Sequence, residues 1–296
     1  MPTPAVEGLL VEPYVTVPEF RAAPTWIDSD DLIPGGTSTK QDDELFNVLL
    51  RASAQVDTTV MQRLGGHTAV EQLRARTDRR GVLSIHPSNN PVRAVTALSY
   101  GADPTSLVLL TDLTGVWIED ARQVLVSAPT RGSWAGFLEF GPATPAGATA
   151  FVRLTYTAGY GSATLTATAN TGASTLAVSA PAGIMPGDVL RIWDPGFEEA
   201  VTVAPGYVPG ATTVPIVSPL TQTHAAGAGI SALPADIHQA VICFTVALLL
   251  REDASSDAPF AGAPFGPAAR RSSAGGKAGG LLDEAERLLA PYRRIR

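Results

Sequence analysis

The stretch PADIHQAVICFTVALLLRED, residues 234–253, decides the reading of the chain. Ile237, Val241, Phe244 and Leu248 fall at i, i+4, i+7 and i+11, one face of an α-helix. Ala240, Ile242 and Leu249 widen that face, so the predicted helix is buried on most sides. Pro234 suits a first helical turn, where its missing N–H costs nothing. Arg251 favours the C-terminal end, and Glu252 and Asp253 oppose it. The apolar run falls short of the roughly 20 residues that span a bilayer. This is the expected central core helix.

Downstream, residues 254–280 are Ala, Gly, Pro and Ser with Arg270, Arg271 and Lys277, which predicts a flexible loop. Leu281, Ala285, Leu288 and Tyr292, backed by Leu282 and Leu289, then predict a last amphipathic helix. It ends in the basic tail Tyr292-Arg293-Arg294-Ile295-Arg296.

Upstream lies a segment poor in charge and rich in Thr and Ala. Residues 163–169 alternate strictly, as a half-buried strand must. Leu176/Val178, Leu190/Ile192, Val201/Val203 and Val214/Ile216 repeat the alternation. Pro186-Gly187-Asp188 and Pro209-Gly210 supply turns. Residues 161–232 therefore predict a small β-domain of about six strands, a barrel or a sandwich.

From Gln72 to Thr157 short apolar runs are punctuated by Gly, Pro, Asp and Asn, an antiparallel β pattern. The runs include Leu107–Leu110, Phe137–Phe140 and Phe151–Thr157. Arg74, Arg76, Arg79 and Arg80 predict an exposed basic loop or strand edge. Before them Leu45, Leu49, Ala52 and Val56 mark a helix. Asp42, Asp43 and Glu44 are read in its first turn, with a stop at Gly65-Gly66. Residues 1–40 are Pro-rich and acidic, an expected extended arm that Trp26 and Ile27 pin down.

The class is thus α+β: a small helical-bundle core with an antiparallel β region and an inserted all-β barrel or sandwich domain. The expected parts are an arm at 1–40, a core of 41–160 plus 233–296, an insert at 161–232, and a loop at 254–280 within the core. A chain of 296 residues, 17% charged, with 28 Gly and 24 Pro, suits many short strands and long loops. Its net charge of −7 argues against a general nucleic-acid binder. The charge is uneven: residues 1–60 carry ten acids and three bases, 61–94 six bases and two acids, 261–296 seven bases and three acids. This is either solvated surface or complementarity between neighbouring subunits.

Reactive constellations are lacking. His67, His86, His224 and His238 have no metal-ligand spacing, and there is no nucleophile elbow. Gly276-Lys277 lacks the rest of a phosphate loop, and Gly159-Tyr160-Gly161 lacks the third glycine of a dinucleotide fingerprint. No catalytic, metal or cofactor site is expected. The lone Cys243 has no disulfide partner, which suits assembly in a cytosol, and the N-terminus lacks a secretion signal.

The order of parts resembles the head–tail connector (adaptor) proteins of long-tailed double-stranded DNA bacteriophages. In that family a Y-x-A-G-Y strand end leads almost directly into P-x-D-I-x-x-A and a hydrophobic helix. Tyr156, Ala158, Gly159 and Tyr160 match the first half here, and Pro234, Asp236, Ile237 and Ala240 the second. The likeness covers 12–160 and 233–253. Residues 161–232 depart from it and resemble small β-domains of phage tail and baseplate proteins.

The resemblance implies a non-enzymatic virion protein at the neck, assembled in the host cytoplasm, without membrane or cofactor. It implies a homo-oligomeric ring, usually of twelve copies, beneath the portal protein. That ring extends the DNA channel, with transient non-specific contact to the genome, and docks a head-completion (stopper) or tail-terminator protein. Candidate portal or ring contacts are Tyr292, Arg293, Arg294 and Arg296. Candidate DNA- or neighbour-facing bases are Arg270, Arg271 and Lys277. The alternative is a carbohydrate- or partner-binding tail accessory protein with Trp193 and Tyr207 as stacking residues. An enzyme with a dispersed site would use His224 or His238.

Overall fold

The structure is a computed structural model and describes residues 12–25, 27–30, 32–78, 81–127, 147, 149–179, 181–254 and 277–294. Helices and antiparallel sheets coexist, so the chain is α+β. It divides into two compact units: Arg63–Tyr160, and Leu9–Gln62 with Gly161–Arg296.

The first unit is a seven-stranded antiparallel sheet. Its strands are β1 (His67–Thr77), β2 (Leu83–Ile85), β3 (Val92–Gly101), β4 (Val108–Leu109), β5 (Val116–Glu119), β6 (Gln123–Val126) and β7 (Thr149–Ala158), in the order β4-β3-β7-β1-β2-β6-β5. Alternation explains β7, where Ala150, Val152, Leu154, Tyr156 and Ala158 all turn to the core. Of the basic run, Arg74 and Arg76 are exposed and lie in β1 rather than in a loop; Arg76 is paired on both sides, by β7 and β2, and Arg74 is paired with β7. Arg79 and Arg80, and the expected strand at Phe137–Phe140, lie outside the described residues. The left-handed Gly159 (φ 87°) follows β7, and an added Cβ there would stand 2.3 Å from the Gly65 carbonyl oxygen. Only glycine fits that position.

The second unit holds the helices and a small β-module. Its helices are α1 (Val17–Ala22), α2 (Ser38–Val60), α3 (Ala235–Ala254) and α4 (Lys277–Leu289), and α3 packs against both α2 and α4. Buried Ile237, Ala240, Val241, Phe244 and Ala247, with Cys243 and Thr245, show that α3 is enclosed on most sides. Two helix boundaries differ from the expected ones. α2 starts at Ser38 behind the N-cap Thr37, so Asp42–Glu44 sit a turn further in. It ends at Val60, where Met61 takes the left-handed conformation (φ 59°), before the glycines are reached. α4 closes at Leu289, because the Ala290–Tyr292 turn tightens to a 3-10 helix around Pro291.

Within the stretch read as extended, α1 forms behind a capping box. Thr16 Oγ1 accepts from Glu19 N, and Glu19 Oε2 accepts from Thr16 N. Val15 and Phe20 are buried. Trp26 lies outside the described residues.

The β-module has six strands: β8 (Ser162–Thr164), β9 (Thr175–Ala177), β10 (Val189–Trp193), β11 (Glu199–Thr202), β12 (Thr213–Pro215) and β13 (Gly229–Ser231). One sheet runs β11-β10-β13-β8 and another β12-β9. Single bridges, Leu165 to Val178 and Val203 to Ile216, link the two at both ends. Hydrogen-bonded neighbours therefore run in a ring, which leaves no long open edge. The core of this module, from Ala163 to Ile230, is drawn from its own residues.

Candidate functional site

The most elaborate polar cluster surrounds His238, one turn into α3. Its Nδ1 lies 2.6 Å from Glu19 Oε1 on α1, and its Nε2 lies 3.0 Å from Ser231 Oγ on β13. Trp193, at the end of β10, stacks on the imidazole with centroids 4.0 Å apart and donates its indole N–H to Ser231 Oγ at 3.0 Å. These partners place the Nδ1 proton. An ionised carboxylate only accepts, so Nδ1 is the donor to Glu19; an indole N–H only donates, so Ser231 Oγ accepts from Trp193 and keeps both a hydrogen and a lone pair with which to meet His238 Nε2.

A serine, histidine and carboxylate in line are also the geometry of a hydrolytic triad. Here the serine has no room to act. Ser231 is 4% exposed and His238 3%. The adjoining cavity, bordered by Glu12, Thr16, Gly229 and Ser231, measures about 20 Å³, room for one water. The arrangement ties α1, β13 and α3 together. The sequence signal for half of it was readable: Thr16-x-x-Glu19 is a capping box, but nothing local announces that Glu19 also reaches His238.

The second histidine proposed for a dispersed site, His224, is wholly buried. Asp194 Oδ2 stands 3.4 Å from Nδ1 and Glu199 Oε2 3.9 Å from Nε2, and neither nitrogen makes a hydrogen bond among the described residues. The two carboxylates flank opposite sides of the ring, so no single ion can touch all three groups. Each also accepts backbone N–H groups of the loop before β13: Ala225 on Asp194, Thr221 and Gln222 on Glu199. Among the described residues no group of three His, Cys, Asp or Glu side chains is placed to hold a metal. No helix among them is long and apolar enough to cross a membrane.

The stacking surface expected of Trp193 and Tyr207 is absent. They are 8% and 4% exposed, Trp193 being covered by His238 on one side and approached by the Arg191 guanidinium at 4.7 Å. An aromatic residue with both faces occupied offers none to a sugar.

The C-terminal candidates fall in two groups. Tyr292 O accepts from Gln62 Nε2 at 2.9 Å, and Arg294 N donates to Val60 O at 3.0 Å, so the chain end is tied to the last turn of α2. Arg293 lies 3.6 Å from Glu286. Arg270, Arg271 and Arg296 lie outside the described residues; Lys277 opens α4, and its side chain is not among those described.

No protein-family model matches this chain, and no curated protein matches it. Among solved structures it is similar to a chain described as the neck of an empty GTA particle computed with C6 symmetry. The identity is 15%, the match covers 100% of this chain and 96% of that one, and the TM-score is 0.37.

Proposed function

We propose that this chain is a virion structural protein, the head-to-tail adaptor of a long-tailed phage. Twelve copies close as a ring under the portal, extend the DNA channel and dock the next neck or tail protein. The observation that carries this reading is where the chain leaves and returns between the two halves of the adaptor signature. Tyr156–Tyr160 ends β7, and Pro234–Ala240 opens α3. Between them, Ala232 N donates to Gly161 O at 2.8 Å, and Ser162 pairs with Ser231. The intervening residues leave and return at one point, which supports reading them as an insertion at the strand-to-helix junction of the signature.

In this reading Tyr292, Arg293, Arg294 and Arg296 face the portal from the end that α2 anchors. Arg270, Arg271 and Lys277 face DNA or a neighbouring subunit. The decisive experiment is electron microscopy of mature particles carrying a tagged subunit. Density for the tag at the neck, between capsid vertex and tail tube, is the expected result; density anywhere else overturns the reading.

A further inference from the structure

The solvent face of the seven-stranded sheet is cationic. Strand register places its side chains, since residues directly opposite in an antiparallel pair point to one side. Arg74 is opposite Phe151, Arg153 opposite Gln72, and Arg76 opposite both Thr149 and Ser84. From Ser84 the same row continues through Leu125 to Trp117. Arg74, Arg76 and Arg153 are exposed, and none makes an ion pair among the described residues. Arg74 is held over the Phe151 ring at 4.8 Å. Trp117 is 42% exposed at the far end of the row. Glu119, on the edge strand, is the one acid among the described strand residues that register puts on this face.

The chain's own acidic surface is the complement. Arg21 bonds both Asp30 (3.1 Å) and Asp42 (2.9 Å), which joins the loop holding Asp28 to the start of α2. Asp43 is exposed and makes no ion pair among the described residues, and Phe46, one turn on, is an exposed apolar side chain. Arginine, tryptophan and phenylalanine are residue types enriched at protein interfaces, and the acids supply the opposite charge.

We infer that the arginine face of the sheet docks on the Asp28–Asp43 surface of a second copy, head to tail. This rests on the ring reading above and names the surfaces that close it. Two different patches make a heterologous contact, the kind that generates rings. Duplex DNA fits the face less well, because three arginines neutralise few phosphates on a chain of net charge −7.

The test is sedimentation velocity of the full-length chain over a concentration series at low and high salt, with two charge reversals. One is Arg74→Glu/Arg76→Glu/Arg153→Glu; the other, in the other compact unit, is Asp28→Lys/Asp43→Lys. Each alone is expected to weaken self-association by about 100-fold, with circular dichroism unchanged. An equimolar mixture of the two is expected to recover assembly through the reversed contact. If both variants assemble as the wild type does, this contact is wrong while the neck reading stands. If the arginine variant assembles normally but loses retention on double-stranded DNA, the face binds phosphate and the inference is overturned. A wild-type chain that stays monomeric at every concentration, with portal or without, removes the ring reading itself.

Discussion

Tyr156 shows what a buried polar group demands of its surroundings. Its hydroxyl donates to Glu71 Oε1 at 2.8 Å and accepts from Asn89 N at 3.1 Å, and Ser88 N closes the remaining Glu71 oxygen at 2.9 Å. Burial, then the neighbouring Glu71 charge, push the phenol well above its ordinary value. Tyr156→Phe leaves Glu71 and Asn89 short of a partner and is expected to cost about 1–3 kcal/mol in urea unfolding. The pH dependence has a definite sign. The folded state keeps the phenol proton above about pH 10, where the unfolded chain releases it, so this contribution is intact at lower pH and lost as pH rises. The wild type should therefore lose stability above pH 10 more steeply than Tyr156→Phe; parallel profiles would refute the assignment. Gly159→Ala meets a different obstacle, a carbonyl oxygen 2.3 Å from the new Cβ at positive φ. A loss of at least about 2 kcal/mol is expected, and a variant as stable as the wild type in the same urea series would contradict the close approach.

At the scale of elements, α3 carries the clearest tests. His238→Ala removes a ring that joins three segments and leaves Trp193 without its stacking partner. The expected cost is about 2–4 kcal/mol, with a change in tryptophan emission that His224→Ala should not reproduce. Cys243 lies on the same helix, and burial raises its thiol pKa. Disulfide reagents should leave it unmodified in the native chain and react on unfolding; rapid native labelling would show α3 to be open. The helix itself was legible because Ile237, Val241 and Phe244 repeat at helical spacing and all three are buried. β7 was legible for the same reason at period two. α1 was not, since six residues are too few to show a period and Pro18 reads as a break; only its capping box marked it. The His238 clasp was illegible because its members, Glu19, Trp193, Ser231 and His238, are brought together by tertiary packing alone. Trp193 misled for a related reason: an aromatic side chain in a small β-domain has the same letters whether it stacks on a ligand or on a histidine.

At the scale of the molecule, the division of labour between residues 161–232 and the rest can be tested directly. Every residue of the module's hydrophobic cluster comes from within it, from Leu165 and Leu176 to Val214 and Ile230. Its strands close on one another through the two linking bridges, and its ends meet at the Gly161–Ala232 hydrogen bond. A segment with its own core and adjacent ends has what independent folding requires. Expressed alone, residues 161–232 are expected to unfold in one cooperative transition, with the β-type circular dichroism of the intact chain's module. Loss of contacts from outside lowers the stability of the isolated piece without abolishing it. Glu12 bonds Ser179 Oγ at 3.2 Å, and Thr16 packs against Gly229 closely enough that an added Cβ would meet its methyl at 3.0 Å. Adding a peptide spanning residues 12–25 should therefore raise the melting temperature, because it restores those contacts and stabilises by mass action. If the module alone shows no cooperative transition, and the peptide does not rescue one, then the strands depend on α3 for their fold. The insertion would then have been built into the second unit rather than added to it.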